Sequence, residues 1–245
     1  MNDVVLLLKS HRSIRKFSDT PVPQETINEL VEAGQAAATS SFIQACTVLQ
    51  IDDKAVRKRL AVLAADQQYV AQAPVFLVFC ADMNRHKLAC GMHQASMLSG
   101  FTEQFLTASL DCALFAQNVA IAAESLGLGV CYIGAIRNNI KKVDELLGLP
   151  ELVYPVFGMC LGHPRQNPEV KPRLPLGVVL KKDRYQSKTD ARQVAEYDVE
   201  VENYYQIRTG GNKMSSWSSQ VSEMLAREAR PHMLEYLQSK GFLKK

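Results

Sequence analysis

Residues 11–17 read His-Arg-Ser-Ile-Arg-Lys-Phe, so two guanidiniums, an ammonium, an imidazole and a hydroxyl fall within one short stretch. That donor set suits a phosphate monoester. Arginine gives bidentate, charge-assisted hydrogen bonds to phosphate, and serine and backbone N–H groups can satisfy the remaining lone pairs. A second basic cluster, Lys171-Pro172-Arg173, is stiffened by Pro172 and Pro175. If the two clusters converge, they neutralise a dianion. Either one alone is more simply a solvated basic face, so the case for a cofactor rests on what lies between them.

Three further stretches bear on that. Leu126 to Asn138 holds an apolar run, Val130-Cys131-Tyr132-Ile133, framed by Gly127, Gly129 and Gly134. Glycines beside a strand let a ligand approach the backbone. Helix capping accounts for Gly127 without a ligand and for Gly134 less well. The spacing is not GxGxxG, so a dinucleotide-binding Rossmann turn is not indicated. Gln67 and Tyr69 offer an amide and an aromatic ring that could read the edge and face of a planar heterocycle; a solvated loop explains them equally. His11 beside two arginines is expected to stay neutral or to donate to phosphate rather than act as a base. None of the six cysteines forms a CxxC pair; they read as reduced core residues, with no metal site and no nucleophile beside a base.

Periodicity supplies the elements that must position these groups. Helices are expected over residues 3–10, 25–38, 53–65, 103–126 and 139–147. Strands are expected at 47–52, 75–80, 130–133 and 156–161, the central two as buried apolar runs. Residues 101–130 are long and apolar, but Glu103, Asp111, Gln117, Asn118 and Glu124 interrupt them, which favours a core helix over a membrane span. The 245 residues are 47% hydrophobic and carry a net charge of only +3. A packed core is therefore expected and nucleic-acid binding is not. No charged leader precedes an apolar run at the N-terminus, so a cytoplasmic protein is expected. Beyond residue 165 proline and charge rise. A loose polar tail is expected there, wrapping over the body or a second subunit, with a last helix around 216–230 capped by Ser215 or Ser216 and anchored by Trp217. The pattern is α+β or a three-layer sheet.

These segments together resemble the flavin-dependent nitroreductase superfamily, and within it the group A oxygen-insensitive NADPH nitroreductases and NADPH–FMN oxidoreductases. The resemblance rests on HRSIRKF (11–17), TSSFIQ (39–44), FCAD (79–82), AAESLGLG (122–129), CYIGAIRN (131–138), LGHP (161–164), KPRLP (171–175) and the tail elements YYQIRT, WS and ARP. It implies an α+β three-layer fold with a central, mostly antiparallel sheet flanked by helices. It also implies one FMN-binding domain over 1–245, with a core at 1–164 and an extended C-terminal segment at 165–245, and an intertwined homodimer with FMN at the interface. By match to the family, His11, Arg12, Ser13, Lys171 and Arg173 hold the phosphate and ribityl end, and Arg15 lies toward the pyrimidine edge. Gln67 and Tyr69 flank the ring. Tyr132, Ile133, Gly134 and Ala135 offer backbone, and Thr39, Ser40, Ser41 and Phe42 come from the partner subunit. The family commonly has a second glycine where Ala135 stands.

The resemblance further implies that Arg208, Lys213 and Arg230 grip the 2′-phosphate of NADPH. The implied activity is two-electron ping-pong hydride transfer from NADPH to nitroaromatics, quinones or flavins, with Arg15 and Gly134 nearest the reacting ring. Two alternatives stand beside it: an FMN reductase that feeds a partner enzyme, and a non-catalytic flavin carrier.

Overall fold

The computed structural model describes residues 2–245. The chain opens with helix α1 (Asp3–Lys9), started by the Asn2 side chain, which accepts from Val4 N–H at 2.8 Å. Helix α2 (Gln24–Gln35) follows, then strand β1 (Cys46–Gln50), α3 (Lys54–Leu63), α4 (Gln68–Gln72) and β2 (Val75–Asp82). Next come α5 (Asn84–Met92), the long α6 (Thr102–Ser125), β3 (Gly129–Ile133), α7 (Ile140–Leu147) and β4 (Val153–Gly162). The strands expected from periodicity are present within a few residues. The largest difference is β4, which begins ahead of the expected Val156 and runs through Pro155. Pro155 sits beside a register shift between Phe79 and Cys80 and beyond the stretch of β4 that pairs with β3, where a missing N–H costs no ladder bond.

The sheet has the order β1-β2-β4-β3 and every pairing is antiparallel. β2 is buried along its whole length, and its period of two explains why. Val75, Leu77 and Phe79 face α2 and α6, packing with Leu30, Phe115 and Val119. Phe76, Val78 and Cys80 face α3, α4 and α7, packing with Leu60, Val70 and Val143. Helices on both faces make three layers. At Gly34 the α2 and α6 helices come so close that a Cβ would lie 2.3 Å from Phe115 Cε1. Five cysteines are buried and Cys90 is half-buried; burial pushes the Cys80 thiol pKa far above its usual range.

α6 is long and apolar enough to cross a membrane by length and composition alone, yet its inward face is core and its buried Asp111 is spent on backbone N–H groups, as described below.

The chain divides into two compact units, the first running to Asn167 and resuming at His232, the second being Pro168–Pro231. The second contains α8 (Leu176–Val179), α9 (Asp190–Thr209) and α10 (Trp217–Leu225). The expected loose tail is thus mostly helical. α9 escapes a periodicity reading because only Tyr197, Val201 and Tyr204 on it are buried. Ser216 caps α10, accepting from Ser219 N–H at 3.2 Å, and the Trp217 ring lies 6.1 Å from that of Tyr197. The expected final helix ends at Leu225, well before Arg230. A further helix, α11 (Met233–Ser239), belongs to the first unit, where Tyr236, Leu237 and Phe242 join Ala45, Ala81, Leu152 and Tyr154 in a third cluster.

Candidate functional site

The basic segment is pinned along the β3 edge of the sheet. Ile14 N–H donates to Val130 O at 2.8 Å and Ser13 bridges Val130 in parallel. Ser18 N–H donates to His163 O and Arg165 N–H to Lys16 O, each at 2.8 Å, so the segment also clasps the turn after β4. Gly129 makes this approach possible: a Cβ there would lie 2.7 Å from Ile14. Its glycine thus serves the basic segment rather than a ligand. Gly127, with φ of +75°, is the expected helix terminator.

The side chains of the segment have distinct partners. His11 Nδ1 is 2.7 Å from Glu124 Oε1 on α6, a partner that the sequence separation of the two residues conceals. Burial pushes the Cys131 thiol pKa up, opposed by the charge of Arg15 and by the Ser13 side chain. Arg12 reaches Ser10 O at 3.3 Å and lines a cavity of about 500 Å3 with Ile14, Glu124, Gly129 and Arg165. Arg15 lines a second cavity, of about 690 Å3, with Phe17, Gln72 and Arg165, and its charge acts on the Tyr69 hydroxyl. Burial pushes the Tyr69 pKa up, helped by the neighbouring Cys131 thiol and opposed by the Arg15 contact.

Gln67 sits two residues away, at the start of α4. Its amide oxygen is buried with no hydrogen-bond partner. The two residues before it, Ala65 and Asp66, both hold left-handed backbone, with φ of +60° and +55°. Such strain persists only where the surroundings enforce it and gathers at ligand sites. Beneath, the buried Arg57 guanidinium donates to the carbonyls of Val70, Ala73 and Pro74 and fixes the far end of α4. Burial lowers its pKa. At the end of β3, Tyr132 faces the α6 layer, 3.4 Å from Gln117 and edge-on to Phe157. Ile133 faces the opposite layer, partly buried Ala135 packs with it there, and Gly134 opens a 3-10 turn to Asn139.

Thr39, Ser40, Ser41 and Phe42 do not join this group. They precede β1, at the other edge of the sheet, where Thr39 lines a small cleft with Cys46, Arg85 and Phe115. Ser41, Phe42 and Gln44 all have positive φ. Asp111, only 1% exposed, holds this strained loop from below, accepting from Ser40 N–H at 3.0 Å and Ala45 N–H at 3.1 Å. Phe42 is 80% exposed and the Thr39 hydroxyl is buried without a partner. In sequence, Asp111 marks only an interruption of an apolar run.

In the second unit, three tyrosines of α9 organise the other cluster. Tyr197 donates to Pro172 O at 2.8 Å and Tyr204 to Glu169 O at 3.5 Å, which lays residues 169–172 along the helix. Lys171 Nζ donates to the Tyr205 hydroxyl at 2.8 Å. Arg208 donates to the Tyr204 hydroxyl at 2.9 Å, and Lys213 lies over the Tyr205 ring at 4.5 Å. Arg173 is exposed. Arg230 holds a left-handed backbone near the end of the unit.

Fold and donor set describe a class: a three-layer α+β protein whose sheet edge suits a flat heterocycle carrying a phosphate. Residues 8–163 match the Nitroreductase family and residues 171–245 the Nitroreductase family, C-terminal domain. The chain belongs to the nitroreductase family. It is 46% identical over 245 residues, all of both chains, to an NADPH-flavin oxidoreductase of Vibrio harveyi. It is 43% identical over 242 residues, 99% of each chain, to an oxygen-insensitive NADPH nitroreductase of Salmonella typhimurium. The solved NADPH:FMN oxidoreductase of Vibrio harveyi complexed with NAD+ superposes over the whole of both chains with a TM-score of 0.92 at 43% identity.

Proposed function

We propose that the protein is an FMN-dependent oxidoreductase that takes electrons from NADPH and passes them in pairs to nitroaromatics, quinones or flavins. The observation that carries this reading is the buried, unpartnered Gln67 amide oxygen, set on a strained turn two residues from Tyr69, whose hydroxyl feels the Arg15 charge. A flavin ring, rich in edge donors and acceptors, fits such a wall. The names of the Vibrio and Salmonella relatives favour the same donor and acceptors.

When bound, FMN supplies the hydride chemistry; the chain's own residues bind it, orient it and tune its electrostatics. His11, Arg12, Ser13, Lys171 and Arg173 neutralise the phosphate. Arg15 would supply a cation toward the pyrimidine edge of the ring, where preorganised charge is most effective. Tyr132, Ile133, Gly134 and Ala135 present backbone to the ring. Arg208, Lys213 and Arg230 grip the 2′-phosphate of NADPH.

Residues 1–245 act as one FMN-binding domain, with 165–245 as its extension, and the working form is a homodimer in the cytoplasm that contacts neither nucleic acid nor membrane. Two features support the dimer. The 39–42 loop lies at the β1 edge, across the sheet from the basic segment, so a second copy is the natural source of Thr39–Phe42 for the site. Leu106, Leu110 and Leu114, spaced by four on α6, form an exposed apolar stripe.

The test is the absorption spectrum of the purified protein. A flavin band at about 450 nm that bleaches when NADPH is added without oxygen is expected. Colourless protein that refuses added FMN overturns the reading, and bound flavin that NADPH cannot bleach leaves a carrier. Rates with free FMN against a nitroaromatic separate a flavin reductase from a nitroreductase.

A further inference from the structure

In the second unit, two cations assigned to different phosphates stand on one tyrosine. Lys171 Nζ is 2.8 Å from the Tyr205 hydroxyl and 5.0 Å from the ring centroid. Lys213 Nζ is 4.5 Å from the same centroid. Tyr205 is fixed in turn: its hydroxyl lies 3.2 Å from Gln220 Oε1 of α10 and its ring packs edge-on to Tyr204 at 5.4 Å. Tyr204 carries the third cation, Arg208, 5.8 Å from its ring. Among the described residues, none of Lys171, Arg208 and Lys213 is ion-paired with a carboxylate. Three cations therefore sit on two aromatic rings and their hydroxyls with no paired carboxylate among the described residues, and their like charges repel one another.

We propose that Tyr205 is a positioning residue that couples the two phosphate grips, holding Lys171 toward the flavin phosphate and Lys213 toward the 2′-phosphate of the dinucleotide. The inference rests on the function proposed above, from which both lysine assignments come. The coupling follows from position, since two phosphates by themselves repel each other. A phosphate that fixes Lys171 against the Tyr205 hydroxyl also fixes the ring on which Lys213 sits, so Lys213 meets its own phosphate already oriented. By linkage the converse holds: a bound 2′-phosphate tightens the hold on FMN. The ring gives both lysines a common seat, and the hydroxyl fixes Lys171 alone. Burial by itself would raise the Tyr205 pKa. The Lys171 hydrogen bond and the charges of both lysines outweigh burial and bring it below the ordinary value, which reports the same crowding of positive charge.

The experiment follows FMN release from the holoenzyme after dilution, read as the recovery of free-flavin fluorescence, with saturating NADP+ or NAD+ present. These two nucleotides differ only by the 2′-phosphate. In the unaltered protein NADP+ is expected to slow release at least about fivefold more than NAD+, the low end of allosteric coupling. Tyr205→Leu removes the shared seat, and the NADP+ and NAD+ rates are expected to converge. Tyr205→Phe keeps the ring, so faster release in both nucleotides with part of the NADP+ effect retained is expected. General damage to α9 would speed release in both nucleotides and leave their ratio alone. Retention of the full NADP+ effect in Tyr205→Leu overturns the coupling role, as does its absence from the unaltered holoenzyme. A protein that retains no FMN or does not prefer NADPH to NADH in turnover overturns instead the function on which the inference stands.

Discussion

At the scale of single residues, the fixed cations divide the labour. Arg15 is exposed on the basic segment, beside the cavity it shares with Phe17 and Gln72, and its charge reaches the Tyr69 hydroxyl. A charge that is already oriented stabilises a developing anion without reorganisation cost. Arg15→Ala is therefore expected to slow flavin reduction by NADPH about a hundredfold, in the range seen for one electrostatic donor, while weakening FMN binding far less. Stopped-flow bleaching set against flavin affinity decides it, and equal loss in both would remove the role. Arg208 anchors to Tyr204 rather than to a carboxylate. Arg208→Ala is expected to raise the KM for NADPH roughly tenfold, as for loss of one charge-assisted phosphate contact, and to leave that for NADH nearly unchanged. Parallel loss with both donors would exclude a 2′-phosphate contact.

At the scale of elements, the strained loops are held by buried charge. Asp111 accepts two backbone N–H groups that begin and end the 39–45 loop. Asp111→Ala leaves both donors without a partner in a dry environment, a loss on the order of 3 kcal/mol. Urea unfolding should show a lower midpoint with an unchanged slope, together with faster proteolysis near Phe42; an unchanged midpoint would mean that the loop does not depend on the clamp. This element also shows how far the sequence could be read. The alternation in Val75–Cys80 and the glycines around β3 made the sheet legible, because period and turn chemistry are local. The Asp111 clamp and the His11–Glu124 pair were not legible, because each joins residues more than sixty positions apart. The donor set of residues 11–17 was legible from residue types alone. That Gly129 exists to admit Ile14 required the packed structure. α9 is hard to read for a different reason: its buried stripe, Tyr197, Val201 and Tyr204, is narrow and mostly tyrosine amid charged residues, and two of those hydroxyls reach carbonyls of residues 169–172 rather than a core.

At the scale of the whole molecule, the proposed site draws on groups at opposite edges of one sheet. The basic segment lies against β3, and the strained 39–42 loop leads into β1 with two strands between. A monomer gains nothing from holding Phe42 in a left-handed conformation with its ring in solvent; a second copy that uses the ring gives that strain a purpose. The exposed leucines of α6 point the same way, since a stripe spaced by four residues presents one continuous apolar face. Leu110 is the central member and is 60% exposed, so replacing it does not open the core of the chain itself. Leu110→Arg places a charge in the middle of that face, where burial without a partner is costly. The variant is expected to sediment as a monomer, to keep its far-ultraviolet circular dichroism, and to lose FMN on dilution at least tenfold faster, because the partner's share of the site is gone. A variant that becomes monomeric yet holds FMN as tightly as before would show that one chain builds the site alone, and that the strained loop serves something other than the flavin.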